Sequence, residues 1–300
     1  MTNTASETAA CCANFYEQDW VQELLGESFH PGGKALSARL VHSLGLPRDA
    51  RVLDAACGIG TTTRIMSQHF GLQATGVDLS RTNTNKATEL AKALSGSTHF
   101  VCGPVDSLPF ADEAFDAVVC ECAVSTFANQ PEVLAEFRRV LKPGGVLGIS
   151  DMAVEGQLPT DIATQIAPWT CLAEAHSVHG YQRLFLDAGF SIVGYADESA
   201  SLRELIGDLK RKLLAAGLGK ALGAINGVEL SLGEARRMLA SAKELIENGT
   251  VQYCRMLLSK GRPTHSTVEL SPEIDFDAIT SPQANNATAS NDCGCEDGNC

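Results

Sequence analysis

The sequence predicts an α/β protein built on a mainly parallel sheet with helices on both faces. From residue 51 onward, short apolar segments alternate with helical patterns, and a glycine turn, CGIG, follows the first of these segments. Repeated strand–helix units form parallel sheets that are buried between helical layers. The chain has 300 residues and 44% hydrophobic content, which is enough for one large domain or two smaller ones.

The elements of this pattern can be placed in order along the chain. Apolar spacing predicts two helices before the alternation, over 14–29 and 34–46. Strands are predicted over 51–56, 73–80, 98–103, 115–121, 146–152, 191–197 and 251–260. Further helices are predicted over 61–70, 82–95, 130–145 and 180–190, and 201–248 is mostly helical with a break around 217–232. The polar segment 261–300 is predicted to be disordered.

The charge and the hydrophobicity pattern exclude several classes of partner. A formal net charge of -13 and a pI of about 5.0 argue against nucleic acid or an anionic membrane surface. The first residues have neither the basic start nor the apolar stretch of a secretory signal. No apolar run reaches the length of about 18 residues that a membrane span needs. We therefore expect a cytoplasmic protein.

The chain has 11 cysteines, an odd number that does not suit a closed disulfide framework. In a reducing compartment such thiols bind metals, act in catalysis or are simply buried. Cys120 and Cys122 close the fourth strand, so we expect both to face the crevice at the carboxyl end of the sheet. Cys171 could fold over the same crevice, and Cys11 and Cys12 precede the first helix. Several soft thiolates together suggest a thiophilic substrate.

The segment VLDAACGIG, residues 52–60, predicts a nucleotide-type ligand at the end of the first strand. Glycines allow a ligand to approach the backbone closely, and the following helix N-terminus favours negative charge. Gly58 and Gly60 are present, but Thr63 stands where a dinucleotide fingerprint has its third glycine. Asp78, which closes the second strand, can accept both ribose hydroxyls, and Asp106 is placed to reach an adenine amino group.

As a set, these motifs resemble the class I S-adenosylmethionine-dependent methyltransferases over residues 50–150. Ala56 replaces the first glycine of that family's D/E-x-G-x-G-x-G pattern, and LPFADEAFDAVVCE and RVLKPGG resemble its quinone-methylating branch. The resemblance implies a Rossmann-like class I methyltransferase sheet with S-adenosylmethionine as cofactor. The cofactor-binding residues that it implies are Asp54, Gly58, Gly60, Asp78, Leu79, Asp106, Ser107 and Tyr16. A Rossmann-like sheet with another nucleotide, or with none, is the alternative.

A second resemblance is to the arsenite methyltransferases. CECAVST is similar to that family's S-N-C-V-I-N-L segment, and the similarity places Cys122 at the position of the family's cysteine. LPTDIATQIAPWTCLAEA is similar to a second family segment, from which it lacks one residue, and places Cys171 at the position of the cysteine there. The third family cysteine lies N-terminal to the cofactor motif, where Cys11 or Cys12 could serve although the local sequence does not match, and the tail CGCEDGNC suits arsenic-handling enzymes. The resemblance implies that Cys122, Cys171 and Cys12, with Cys120 beside them, bind trivalent arsenic for methylation. The resemblance also implies that glutathione or thioredoxin is the reductant and that the enzyme serves in detoxification.

These resemblances divide the chain into four parts. They are an N-terminal helical lid or cap over 1–45, a cofactor-binding domain over 46–198, a helical insertion with the last strand over 199–260, and a cysteine-containing tail over 261–300. Two other functions stay open. One is methylation of carbon, nitrogen or oxygen on a small molecule such as a quinone, which needs a His, Tyr or Asp base. The other is metalloid sequestration by the tail without catalysis.

Overall fold

A computed structural model of the chain describes residues 30–92, 94, 96–165, 167, 170–215, 232–261 and 268–269. The strands in these residues are β1 Arg51–Ala55, β2 Gln73–Asp78, β3 Thr98–Cys102, β4 Phe115–Glu121, β5 Leu141–Val154, β6 Ser191–Asp197, β7 Val251–Ser259 and β8 Val268–Glu269. They form one sheet with the order β3-β2-β1-β4-β5-β7-β6-β8.

Helices connect most of these strands. They are α1 Gly33–Ser43, α2 Thr61–Phe70, α3 Arg81–Lys92, α4 Gln130–Val140, α5 Thr160–Gln165, α6 Val178–Asp187, α7 Ser199–Ala215 and α8 Leu232–Glu247, with a 3-10 turn over Val124–Thr126. No helix within the described ranges is long and apolar enough to cross a membrane.

The sheet is mainly parallel, as the sequence predicts. β1 pairs in parallel with β2 and β4, β2 with β3, and β4 with β5, whereas β7 runs antiparallel between β5 and β6. The strand order changes direction at β1, since β2 lies on one side of it and β4 on the other. Ligands bind in the crevice at the carboxyl ends of parallel strands near such a change. The candidate site is therefore expected beyond Ala55, Asp78 and Glu121.

Both faces of the sheet are covered by apolar side chains. Along β4, Val118 packs in one cluster with Phe137 of α4, and Val119 packs in the other with Met66 of α2. Successive residues of a strand point to opposite faces, and this alternation explains the division. Burial on both faces is typical of parallel sheets, and it agrees with the apolar strands that the sequence contains.

The largest difference from the predicted elements lies at KPGG. The sequence predicts a helix from residue 130 that stops at the Pro-Gly-Gly of 143–145, and a strand from 146, but α4 ends at Val140 and β5 already begins at Leu141. Gly144 has a φ of 75°, and the backbone of the glycine pair forms hydrogen bonds with Lys260 in both directions. These bonds extend the pairing of β5 with β7 by one residue, so the segment joins the sheet as an irregular strand.

Other predicted segments fall partly or wholly outside the described residues. These are the helix over 14–29, the break around 217–232 and most of the tail. One part of the tail that was predicted to be disordered forms a strand, because Val268 and Glu269 pair in parallel with Gly194 and Tyr195 of β6. The four-part division of the chain stays a prediction.

Candidate active site

The loop between β1 and α2 has the backbone conformation that its glycines allow. Gly58 and Gly60 have φ values of 54° and 72°, in the left-handed region that favours glycine. A Cβ atom on Gly60 would lie 2.4 Å from Cε1 of Phe100, so a side chain there has no room. Ala56 also has a positive φ, 59°, at the position where the resembling family has its first glycine. The loop conformation is therefore kept although that glycine is absent.

Asp54 lies inside β1 and connects this strand to the first turn of α2, which follows the loop. It is only 3% exposed, and its Oδ2 accepts a hydrogen bond of 2.6 Å from Oγ1 of Thr63 in α2. Burial raises the pKa of Asp54 to about 7; the nearby carboxylates of Glu121 and Asp78 add to the rise, and the bond from Thr63 opposes it. The carboxyl group is thus partly protonated at neutral pH.

Asp78 closes β2 and holds the loop from the side. Its Oδ2 accepts from the backbone N–H of Gly58, and its Oδ1 accepts from that of Ser80, both at 2.8 Å. A carboxylate oxygen has two lone pairs and can accept more than one hydrogen bond, which suits the recognition of ribose hydroxyls. The next residue, Leu79, is 49% exposed and presents an apolar surface on which a purine ring could lie.

The loop after β3 carries the remaining predicted adenosine contacts. Asp106 and Ser107 are both exposed there. The backbone of Leu108 anchors the loop to α4, because its N–H donates to Glu136 and its carbonyl oxygen accepts from Arg139. The carboxylate, the apolar surface and this exposed polar loop fit an adenosine-type ligand. Tyr16, the last residue predicted to bind the cofactor, lies outside the described residues.

Two of the predicted thiols come together in the structure. The Sγ atoms of Cys122 and Cys171 lie 2.8 Å apart, and Sγ of Cys171 also lies 2.9 Å from the carbonyl oxygen of Cys122. Cys122 directly follows β4, and Cys171 comes from the segment between α5 and α6. The sequence predicted a role for both residues, and their proximity brings a dithiol to the carboxyl edge of the sheet.

The structure separates Cys120 from this pair. The sequence analysis expected Cys120 and Cys122 to point to the same side, but Cys120 is fully buried in the core cluster with Phe137, whereas Cys122 packs against the cluster of Cys171 and Leu245. Cys122 lies beyond the strand with a φ of 51°, so the alternation of an extended chain no longer applies. Cys11 and Cys12 lie outside the described residues.

The thiol of Cys122 is held in its neutral form. Its hydrogen bond with Cys171 raises the pKa most, burial raises it further, and the nearby Asp151 and Glu121 add to the rise. Cys122 is therefore a thiol rather than a thiolate at neutral pH. Within the described residues, no group of three or more His, Cys, Asp and Glu side chains could hold a metal ion.

A buried carboxylate, that of Asp151, holds the turn that follows Cys122 through hydrogen bonds. Asp151 accepts hydrogen bonds from the hydroxyl of Ser125 at 2.5 Å and from its backbone N–H at 3.1 Å. Burial raises the pKa of Asp151 to about 6, while the bonds from Ser125 oppose the rise. These contacts restrain the short turn after β4 and so the position of the Cys122 thiol.

Sequence reasoning missed Glu121, the last residue of β4. Its Oε1 accepts from the hydroxyls of Ser37 at 2.9 Å and Thr62 at 2.7 Å, and its Oε2 accepts from Ser150 at 3.3 Å. Nε2 of His30 lies 3.7 Å from Oε2, and the Glu121 side chain is 5% exposed. The available signal was an acidic residue at the end of an apolar strand, between two cysteines.

Two further polar residues lie close to these groups. The hydroxyl of Tyr253 donates to Oγ of Ser150 at 3.1 Å, and burial raises the pKa of Tyr253 well above its usual range. His176 is near Cys171 in the sequence, and its Nε2 lies 2.6 Å from Oε1 of Gln130. The carboxyl edge thus combines a dithiol with a buried network of hydroxyl and carboxylate groups.

The sheet order, the glycine loop and the acidic residue closing β2 define a Rossmann-like domain of the methyltransferase type. Residues 53–149 match the family model described as "Methyltransferase domain". The match covers about a third of the chain and agrees with the first resemblance drawn from its motifs.

Individual relatives are similar to part of the chain. A sterol 24-C-methyltransferase of Gibberella zeae is 33% identical over 45% of this chain and 38% of its own length. An arsenite methyltransferase of Halobacterium salinarum is 32% identical over 52% of this chain and 41% of its own length. The chain thus spans about two fifths of the length of these relatives.

A solved structure extends the similarity over most of the fold. Phosphoethanolamine N-methyltransferase 2 of Haemonchus contortus, in complex with phosphomonomethylethanolamine and S-adenosylhomocysteine, has a TM-score of 0.69 and 19% identity, covering 84% of this chain and 58% of the other. At this identity the likeness concerns the fold, including the order of the sheet and its helical layers.

Proposed function

We propose that this chain is an S-adenosylmethionine-dependent methyltransferase whose substrate is trivalent arsenic, or a related thiophilic metalloid, bound by Cys122 and Cys171. The observation that carries the proposal is the 2.8 Å approach of the two Sγ atoms at the carboxyl edge of the sheet. That edge also carries the glycine loop and Asp78, the groups that suit the cofactor. The similarity to an arsenite methyltransferase over about half of this chain is further support.

The cofactor when bound supplies a methyl group on a positively charged sulfur. Asp78 would accept hydrogen bonds from the ribose, Leu79 would lie against the adenine, and Asp106 would meet its amino group. The backbone of the loop around Gly58 and Gly60 allows close approach by the amino-acid part of the cofactor. All of these groups lie at or just beyond the carboxyl ends of β1, β2 and β3.

Neutral thiols suit the binding of arsenite, which is itself uncharged as As(OH)₃. Two As–O bonds break and two As–S bonds form with Cys122 and Cys171, and the two thiol protons leave with the hydroxide groups as two waters. No net charge moves into the site, so the raised pKa of Cys122 does not oppose this condensation. A third thiol, from Cys12 or from glutathione, would complete the coordination.

Arsenic bound in this way keeps its lone pair, which is the nucleophile. The As–C bond forms as the S–C bond to the methyl group breaks, and the cofactor sulfur leaves as a neutral thioether. No proton leaves the nucleophile, so the protein need not supply a base; it contributes proximity and alignment through the fixed positions of the two thiols. Arsenic is formally oxidised from the trivalent to the pentavalent state, and two thiols of glutathione or thioredoxin in the cytoplasm would reduce it.

The direct test is arsenic speciation. Purified protein is incubated with S-adenosylmethionine, glutathione and arsenite, and the arsenic species are separated by chromatography with mass detection. Methylated arsenic is expected from the wild type and from Cys254→Ser, because Cys254 is a core residue. It should fall to background in Cys122→Ser and Cys171→Ser. Unchanged methylation in both variants would overturn the assignment of the thiols.

The second candidate is methyl transfer to a small organic molecule. It is favoured by the buried Glu121, which accepts a hydrogen bond from Ser150 next to Cys122 and could remove a proton from an organic nucleophile. Cofactor binding without any methylated arsenic, together with activity on an organic acceptor that survives Cys171→Ser, would select this candidate. Sequestration by the tail predicts arsenic binding that disappears when residues 291–300 are removed.

A further inference from the structure

Three buried carboxylates surround the start of α2. Asp54, Asp78 and Glu121 come from β1, β2 and β4; the two aspartates are 3% and 8% exposed, and the side chain of Glu121 is 5% exposed. Glu121 and Asp54 accept hydrogen bonds from the consecutive hydroxyls of Thr62 and Thr63 in the first helical turn, and Asp78 accepts from the backbone of the preceding loop. The proposed cofactor site is thus bordered on three strands by acidic groups.

The hydrogen-bond partners of Glu121 carry no charge. Three of them, Ser37, Thr62 and Ser150, are uncharged hydroxyls, and His30 approaches only to 3.7 Å. The N-terminus of α2 offers some compensation through its helix dipole. A carboxylate held in this way attracts a cationic ligand strongly, because a buried site screens charge less than water does.

Glu121 also lies next to the reacting centre of the proposed function. Glu121 is adjacent in sequence to Cys122, and its negative charge contributes to the raised pKa of that thiol. The methyl donor must come close to the atom that Cys122 holds. A methyl donor bound there would bring its positively charged sulfur toward the Glu121 carboxylate.

We propose that Glu121 is a specificity residue that makes the site prefer the cationic methyl donor to its product. This inference rests on the proposed function. S-adenosylmethionine and S-adenosylhomocysteine differ at sulfur by one methyl group and one positive charge, and both carry the same ammonium and carboxylate groups. The charge of Glu121 therefore stabilises the bound donor selectively, and that part of the attraction is lost once the methyl group has been transferred.

The test compares two affinities in variants of the full chain. Isothermal titration calorimetry gives the Kd of S-adenosylmethionine and of S-adenosylhomocysteine for the wild type and Glu121→Gln. The amide should weaken binding of the donor about tenfold, which corresponds to about 1.4 kcal/mol, and change binding of the product less than twofold. A measurement of binding keeps the result independent of arsenic and of turnover.

Two matched variants control for structural effects. Asp116→Asn removes a carboxylate from the opposite end of β4, and Ser37→Ala removes a hydrogen bond to Glu121 but leaves its charge. Neither should change the ratio of the two affinities. Circular dichroism checks folding, and Glu121→Met, which is uncharged and of similar length, replaces the glutamine variant if that one fails to fold.

The outcomes separate this inference from the function on which it rests. Equal weakening of donor and product in Glu121→Gln, or weakening of neither, would overturn the role of Glu121 while leaving the methyltransferase proposal intact. A wild type that binds neither ligand would overturn the methyltransferase proposal, and this inference with it.

Discussion

The Sγ atoms of Cys122 and Cys171 lie 2.8 Å apart although 49 residues separate them in the sequence. The separation exceeds the disulfide bond length of about 2.0 Å, so the two residues are not joined by a disulfide bond. They are presented from different elements, the end of β4 and the segment after α5. The packing of that segment against the carboxyl edge therefore creates the dithiol, and any ligand that needs two sulfurs at once depends on it.

The first prediction is that this dithiol binds a trivalent aryl arsenical. Phenylarsine oxide condenses with two thiols, forming two As–S bonds and releasing one water. The background variant carries serine at the cysteines outside the described residues, namely Cys11, Cys12, Cys293, Cys295 and Cys300. We expect it to bind the arsenical by calorimetry, and to lose at least tenfold in affinity when Cys122 or Cys171 becomes serine, because one As–S bond is then missing.

Cys254→Ser in the same background is the matched control for that experiment. Cys254 is buried in the core, with Sγ 3.5 Å from the carbonyl oxygen of Asp151, a contact that a hydroxyl can also make. Its affinity for the arsenical should equal that of the background. If Cys254→Ser weakened binding as much as Cys171→Ser, the arsenical would be responding to general destabilisation rather than to the pair.

The second prediction concerns the pH dependence of stability. The pKa of Asp54 is about 7 in the folded protein and near 3.8 in an exposed aspartate, so the folded state binds the proton more tightly. Between these pH values the folded state holds a proton that the unfolded state has released, and the free energy of unfolding therefore falls as pH rises. The fall is complete above pH 7, and a shift of this size corresponds to roughly 4 kcal/mol.

Asp54→Asn should remove this contribution, because an amide does not titrate. Urea unfolding measured at steps from pH 4 to pH 8 should give a shallower decline for the variant than for the wild type. Part of the decline should remain below about pH 6, since Asp151 shifts in the same direction. The same slope in variant and wild type would show that Asp54 is not the group responsible.

The third prediction concerns the alanine in the glycine loop. Ala56 has a φ of 59°, and the left-handed region costs an L-residue about 1–2 kcal/mol. Glycine removes that strain but loses more conformational entropy on folding, about 0.5–1 kcal/mol. Ala56→Gly should therefore raise the free energy of unfolding by about 0.5–1 kcal/mol, measured by urea denaturation.

A neighbouring alanine provides the comparison. Ala55 is fully buried at the end of β1, where the strand conformation suits alanine, so Ala55→Gly should destabilise the protein by about 1 kcal/mol or more. Opposite signs at two adjacent positions would identify the backbone conformation as the cause. Destabilisation by both substitutions would mean that the side chain of Ala56 contributes packing that outweighs its strain.

The fold could be predicted from the sequence more completely than the site. The bounds of β4 and β6 agree with the predicted strands because apolar residues and turns define them locally. The strand ends predicted that Cys122 and Cys171 could meet at one crevice, and the resemblance to a family singled out these two among the cysteines. The separation of Cys120 from Cys122, and the buried position of Glu121, depend on the positive φ at residue 122 and on contacts with α1 and α2 that no local pattern encodes.

The last prediction tests the close approach between the glycine loop and β3. In Gly60→Ala the new Cβ would lie 2.4 Å from Cε1 of Phe100, and the φ of 72° adds backbone strain. We expect a loss of about 2 kcal/mol or more in the free energy of unfolding, since strain alone costs about 1–2 kcal/mol. The Phe100 ring is the other partner in the clash. Replacing that ring should therefore relieve strain in Gly60→Ala that the wild type does not have.

A double-mutant cycle with Phe100→Leu separates the clash from the strain. The leucine side chain lacks the Cε1 and Cζ atoms that the Cβ would approach, so Gly60→Ala should cost about 1 kcal/mol less in the Phe100→Leu background than in the wild type. The remaining cost is the backbone strain and the 3.1 Å approach to Cβ of Ala87, which no change at Phe100 can relieve. An identical cost of Gly60→Ala in both backgrounds would mean that the ring moves aside freely and that the left-handed conformation alone requires glycine at position 60.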